Sequence, residues 1–163
     1  MDCGKYRELL IYSVREAIMK YALDSNGIDF IHNRKVSRDG SRFRPDFLIT
    51  SNFGHIIVEV DFHQHDKHFP IDEHNRMVTI YHDVQYISPG KQVLFLRYNP
   101  DKYVGTCVVD DKSRLGYLLS IIGTMRQLPS LGIPLGYTKL FYDGFTGAPI
   151  IEMLDININI TDD

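Results

Sequence analysis

The stretch Arg44-Pro45-Asp46-Phe47-Leu48-Ile49-Thr50, then Ser51 to Gly54, then His55 to Gln64 (HIIVEVDFHQ), predicts two strands joined by a four-residue turn. Asn52 and Gly54 tolerate tight-turn backbone angles, and both flanks are rich in β-branched and aromatic residues. A turn over residues 51–54 pairs Thr50 with His55 and, counting outward, places Asp46 opposite Glu59. The hairpin therefore fixes which side chains share a face of the sheet.

The two faces of this hairpin differ in chemistry, because successive side chains of a strand point to opposite sides. One face is wholly apolar: Phe47, Ile49, Ile56, Val58, Val60 and Phe62. The other begins with Leu48 and Ile57 and then becomes acidic at Asp46, Glu59 and Asp61. Like charges opposed at about 4.5–5.5 Å destabilise a sheet. A divalent cation would remove that repulsion, since Mg²⁺ is held by one or two carboxylates plus phosphate oxygens and water.

The Pro45-Asp46 pair, the turn and Glu59-Val60-Asp61 resemble the metal site of the PD-(D/E)xK nuclease superfamily, which has the restriction-endonuclease-like fold. The resemblance implies a Mg²⁺ ion, replaceable by Mn²⁺, held by Asp46, Glu59 and Val60. It also implies an endonuclease that hydrolyses the phosphodiester bonds of DNA. Asp61 occupies the lysine position of the motif, where some members of the superfamily carry a carboxylate.

Residues 16–47 are similar to the very-short-patch repair endonucleases, whose histidine near the end of the second hairpin strand corresponds to His65. The resemblance makes His65 and Gln64 further catalytic candidates beside Asp46, Glu59 and Asp61. Gln64 reaches the site only if the strand ends or bulges around Phe62. The first helix of this fold often directs an acid at the metal, which makes Glu16 an accessory ligand; the alternative is an exposed partner for Lys20.

Three more stretches resemble small nucleases of large DNA viruses: residues 59–65, 94–103 and 140–145. That branch commonly has an acid where this chain has Phe62. The histidines at 63, 65 and 68 have no cysteine near them in sequence, so they favour a histidine acting on water or on a leaving group over a zinc site.

A basic segment, residues 32–44 (HNRKVSRDGSRFR), precedes Asp46 directly and carries five Arg or Lys against one Asp. Its cations are Arg34, Lys35, Arg38, Arg42 and Arg44. Because it lies beside the acidic pair, we expect it to contact the phosphate backbone of DNA; a solvated loop is the alternative.

Length and composition are those of an ordinary globular protein: 163 residues, 44% hydrophobic and 24% charged. We expect one domain over 1–163, with a core at about 5–145 and an edge extension over 146–163. The net charge of −3 argues against an indiscriminate nucleic-acid binder. No apolar run or signal-peptide layout appears, so we expect a soluble intracellular protein, cytoplasmic or nuclear, with no membrane partner; a viral gene is one origin.

Hydrophobic periodicity predicts helices over 5–22, 72–86 and 112–127 and further strands over 28–31, 91–98, 137–142 and 156–160. Two stripes are expected to be buried helix faces: in the first helix Tyr6, Leu9, Leu10, Val14, Ala17, Ile18 and Tyr21, and in the second helix Met77, Ile80, Tyr81 and Val84. The order is that of an α/β protein with an αβββαβ core and a central mixed sheet flanked by helices.

Three functions are consistent with these observations. The first is a Mg²⁺-dependent DNA endonuclease, and the second is a catalytically inactive DNA-binding module of the same fold. The third is an interaction protein whose acids lie on the surface of a half-exposed sheet. A homodimer is compatible with each of them.

Overall fold

The computed structural model describes residues 3–34, 36, 43–62, 70–107 and 109–157, without the side chains of residues 3–13, 70 and 71. Within these residues the helices and strands follow one another in this order: α1 (Cys3–Ser25), β1 (Phe30–His32), β2 (Phe47–Thr50), β3 (Gly54–Val60), α2 (Pro70–Ile87), β4 (Gln92–Tyr98), α3 (Asp111–Arg126), β5 (Leu135–Leu140) and β6 (Glu152–Met153). The protein is therefore of the α/β class, as predicted.

The six strands form one mixed sheet whose spatial order follows the chain order, β1 to β6. The first three strands are antiparallel neighbours, β3, β4 and β5 are parallel, and β6 returns antiparallel to β5. The two parallel connections each contain a helix, α2 and α3. The carboxyl ends of β3, β4 and β5 consequently lie at one edge of the sheet, where ligands of open α/β sheets commonly bind.

The hairpin of β2 and β3 has the predicted register, with Thr50 opposite His55 and Phe47 opposite Val58. Its turn is closed by two backbone bonds between Ser51 and Gly54, of 2.9 and 3.2 Å. A Cβ atom at Gly54 would lie 2.3 Å from the carbonyl oxygen of Gln92. Glycine is therefore required there because the start of β4 passes against the hairpin backbone.

Two apolar clusters cover the two faces of the sheet. The predicted apolar face of the hairpin packs with Met19 and Leu23 of α1 and Leu118 and Ile122 of α3. The opposite face packs against α2 through its predicted stripe: Met77, Ile80, Tyr81 and Val84. Burial on both sides explains why β4 is apolar almost throughout.

The predicted buried stripe of α1 is wrong over the part whose side chains are described. Val14, Ile18 and Tyr21 are 50%, 51% and 74% exposed, whereas Met19 and Leu23 are buried. Apolar residues lie nearly all round this helix, so its periodicity does not single out one face. The packing instead selects the face that carries Met19 and Leu23.

The edge strand predicted over residues 156–160 is also misplaced. The strand that pairs with β5 is the short β6, Glu152–Met153, opposite Tyr137 and Gly136. Residues 156 and 157 are not in a strand, and residues 158–160 lie outside the described part of the chain. The alternation of isoleucine and asparagine at 156–160 suits a strand, but β5 already has its partner four residues earlier.

Candidate active site

A cleft of about 590 Å³ opens at the carboxyl ends of β3 and β4. The first turns of α2 form one wall, and the segment leading into β2 forms another. Its lining is unusually rich in acids: Glu16, Asp46, Glu59, Asp61, Asp72 and Glu73. Arg76 and Arg97 line the same cleft. The acidic hairpin face predicted from sequence therefore lies in the cleft.

Asp46 is held in place by the backbone of the opposite strand. Its Oδ2 accepts a hydrogen bond of 2.8 Å from the Val60 N–H. Burial raises the pKa of Asp46 to about 6; the Val60 bond opposes this rise, and the neighbouring Glu16 charge adds to it. Asp46 therefore holds its proton at a higher pH than an exposed aspartate does.

Glu59 is the most deeply placed acid of the cleft, with 3% of the residue exposed. Burial raises its pKa to about 8, although the Arg76 cation opposes the shift. Nη1 of Arg76 lies 2.9 Å from Glu59 Oε1. Oε1 lies in an ion pair with Arg76 but has no hydrogen bond of regular geometry among the described residues. A buried carboxylate is costly unless a cation or proton neutralises it, and Arg76 supplies that cation here.

Val60 follows Glu59 at the end of β3, but its side chain belongs to the apolar cluster on the opposite face. Only its backbone faces the cleft, where its N–H binds Asp46. Any part that Val60 takes in metal binding would therefore use a backbone atom.

Asp61 is engaged by a buried hydrogen-bond network. Its Oδ2 accepts a bond of 2.6 Å from Nε of Arg97 and another from the Tyr142 hydroxyl. Burial and the Asp61 charge raise the pKa of Tyr142 above its ordinary value, so the phenol stays a donor at neutral pH. Arg97 also bonds both oxygens of Glu73. Arg97 of β4 thus neutralises Asp61, the acid at the lysine position of the motif.

Glu16 reaches the cleft from α1. Its Oε2 lies 3.4 Å from Nε2 of His32, and the His32 ring stacks on Phe47 with centroids 4.8 Å apart. The side chain of Glu16 therefore lies in the cleft close enough to Asp46 for their charges to interact.

The predicted candidates beyond the hairpin are only partly placed by the structure. Gln64, His65, Lys35, Arg38 and Arg42 lie outside the described residues. Arg34 and Arg44 are exposed, one on each side of the undescribed part of the basic segment. Arg44 also accepts a 3.3 Å bond from Arg76 at its carbonyl oxygen, so this end of the segment touches the cleft.

Sequence reasoning missed four groups that surround the acids: Glu73, Arg97, Tyr142 and His32. One signal was present. Arg97 interrupts the apolar run of β4, and an arginine in a doubly covered strand needs a buried acid as partner. The others come from elements far away in the chain, and no local pattern marks them.

The donor set fits an open magnesium site rather than a closed one. Among the described residues, no three carboxylate, imidazole or thiol side chains converge closely enough to enclose a metal ion. Asp46 and Glu59 nevertheless provide the one or two carboxylates that Mg²⁺ uses when phosphate and water complete its shell. Oε1 of Glu59 is a buried acceptor whose cation contact among the described residues is the ion pair with the partly exposed Arg76.

Comparison of the chain with protein-family models, with curated proteins and with solved structures finds no match. Within the described part of the chain, no helix has the length and apolar character needed to cross a membrane.

Proposed function

We propose that this protein is a divalent-metal-dependent DNA endonuclease with the restriction-endonuclease-like fold. The observation that carries the proposal is the pair Asp46 and Glu59, a half-buried and a buried carboxylate that the hairpin brings together inside an open cleft. The order of helix, three strands, helix and strand supports this proposal.

The free-energy cost of burying these two carboxylates argues that the pair has a function. Both acids have raised pKa values because burial disfavours their charged forms. A surface acid on a half-exposed sheet, as in an interaction protein, would not be buried in this way. Strongly perturbed acids in a cleft are typical of catalytic and metal sites.

In the proposed reaction Asp46, Glu59 and the backbone at Val60 would hold the metal. When bound, the metal supplies activation of water and stabilisation of the charge that develops on the phosphate. The Val60 N–H orients Asp46, and Glu16 stands beside it as an accessory acid. Arg34 and Arg44 are suited to contact phosphates of the DNA backbone. Asp61, bound to Arg97 and Tyr142, would shape the floor of the cleft.

The direct test is incubation with supercoiled plasmid in Mg²⁺, Mn²⁺ or EDTA. We expect nicking or linearisation by the wild type with metal only. Asp46→Ala and Glu59→Ala should reduce cleavage to background while retaining the folded circular dichroism spectrum. Asp24→Ala, at an exposed acid of α1 outside the cleft lining, is the matched control and should cleave normally. Cleavage at the wild-type rate by folded Asp46→Ala protein would refute the assignment.

A second candidate is the inactive DNA-binding module. It is favoured by one observation, the position of Arg76, whose cation already contacts Glu59. The same experiment separates the two functions. A module would retard duplex DNA in EDTA but leave the plasmid intact at every metal concentration.

A further inference from the structure

Arg76 lies between Glu59 inside the cleft and Arg44 at its entrance. It lies in the second turn of α2, with Nη1 2.9 Å from Glu59 Oε1 and Nη2 3.3 Å from the Arg44 carbonyl oxygen. Its guanidinium also lies 5.8 Å from the centre of the Phe43 ring. One side chain therefore contacts the proposed metal ligand and the end of the basic segment.

The two arginines of the cleft differ in how firmly they are held. Arg97 has a side chain only 9% exposed and is bound by both Asp61 and Glu73. Arg76 is 31% exposed, and among the described residues its ion-pair partner is Glu59, whose own side chain is 4% exposed. Arg76 is thus the cation that can leave, because water can solvate it at the mouth of the cleft.

A guanidinium and a divalent cation compete for the same carboxylate. Glu59 is buried, so solvent and salt screen its surroundings weakly, and two cations placed at it would repel each other strongly. Binding of a metal at Glu59 should therefore weaken the hold on Arg76. The planar guanidinium is well suited to bind a phosphate with two parallel hydrogen bonds once it is released.

We propose that Arg76 is an exchangeable cation: it occupies Glu59 in the metal-free protein and passes to a phosphodiester of the DNA when a metal takes Glu59. This inference rests on the proposed function. It has a thermodynamic consequence, since metal and DNA then assist each other's binding. Metal binding and DNA binding each require the Arg76–Glu59 ion pair to break, so either ligand makes binding of the other easier. The coupling must be equal in both directions.

The metal arm of the test is a calorimetric titration with Mn²⁺ in the absence of DNA. We expect Arg76→Gln to bind Mn²⁺ about tenfold more tightly than the wild type, within the usual range of coupling between sites. Lys112→Gln removes one positive charge from an exposed position of α3 and is the matched control. Its affinity should equal that of the wild type. Equal affinities of Arg76→Gln and wild type would overturn the inference.

The DNA arm measures duplex binding by fluorescence anisotropy in EDTA at pH 9, where Glu59 is ionised and no cleavage occurs. Glu59→Gln should free Arg76 and tighten binding several-fold, and the double variant Glu59→Gln/Arg76→Gln should lose that gain. Asp24→Asn removes a negative charge from an exposed position of α1 outside the cleft, and it controls for the general loss of negative charge. A gain that persists in the double variant would overturn the inference.

The two proposals fail separately. Cleavage by the wild type with equal Mn²⁺ affinity in Arg76→Gln overturns the exchange and leaves the endonuclease standing. If the metal arm and the DNA arm both give the expected results but no protein cleaves the plasmid, the exchange of Arg76 is supported and the endonuclease proposal is refuted. Absence of Mn²⁺ binding by all the proteins overturns both.

Discussion

Glu59 and Asp46 make stability depend on pH in a direction opposite to that of ordinary surface acids. The pKa of Glu59 is about 8 in the folded protein against 4.5 for an unperturbed glutamate, and that of Asp46 is about 6 against 3.8. The folded state therefore holds more protons than the unfolded state between these values. Stability is greatest below the unfolded pKa values and falls as pH rises through the folded ones.

We accordingly expect the free energy of unfolding to decrease between pH 5 and pH 8 in EDTA. Each proton involved contributes about 1.4 kcal/mol per pH unit. Glu59→Gln should flatten the decrease above pH 6, because the residue that titrates there is gone. Urea unfolding at each pH measures this. An equally steep decrease in Glu59→Gln would show that another group is responsible.

Asp61 should matter for stability through its network. Asp61→Ala leaves Arg97 bound to Glu73 alone, and the loss of one charged hydrogen-bond partner costs about 1.5–3 kcal/mol. Tyr142→Phe removes one donor and should cost about 0.5–1.5 kcal/mol. Urea unfolding of both variants and of the double variant gives the coupling. A fully stable Asp61→Ala protein would exclude a structural role for the network.

At the scale of single residues, the sequence predicted what is local. Asp46 and Glu59 oppose each other because a short turn sets their register, and the structure has that register. Whether Arg76 faced the cleft or solvent could not be decided from its place off the stripe of α2. Nor could the partners of Asp61, because Arg97 and Tyr142 lie 36 and 81 positions further along the chain.

Among the elements, Asn99 connects the ends of β4 and β5. Asn99 is fully buried. Its Nδ2 donates a hydrogen bond of 2.7 Å to the Phe141 carbonyl oxygen, and its Oδ1 accepts a hydrogen bond of 2.9 Å from the Asp101 N–H. Asn99→Ala leaves both groups without these partners, and each unsatisfied buried group costs about 1–3 kcal/mol. We expect a large loss of stability in urea unfolding. Asn157→Ala, at an exposed asparagine, is the control and should change it little.

The elements also show where periodicity is informative. The buried stripe of α2 was predicted correctly because polar residues fill the rest of that helix. The stripe of α1 was not, because apolar residues lie on several sides of it. A consequence is that Val14, Ile18 and Tyr21 are exposed at helical spacing.

For the molecule as a whole, the net charge of −3 makes DNA binding depend on where the cations lie. Arg34 and Arg44 are exposed. If both contact phosphates, the double variant Arg34→Gln/Arg44→Gln should reduce the slope of log K against log salt by about 1.8, at about 0.9 per contact. Binding isotherms between 50 and 200 mM salt measure this slope, with Lys20→Gln/Lys112→Gln as control. An unchanged slope would assign both arginines to solvent.

The order and type of the elements could be predicted for most of the chain, because each rests on patterns within some ten residues. The position of the last strand could not, because the two-residue strand Glu152–Met153 is too short to show an alternating pattern. The cleft also depends on side chains from distant elements, which only the packed structure brings together.

The central position of β4 has a consequence for synthesis on the ribosome. Its outer neighbour β5 ends at Leu140, 42 residues after the end of β4 at Tyr98. At about 5–20 residues per second, the nascent chain carries β4 for about 2–8 s before β5 is complete. During that interval a strand of almost wholly apolar residues has an unpaired edge, which is a template for association with other chains. Protein truncated near residue 130 should therefore aggregate even though Asp46 and Glu59 are both present.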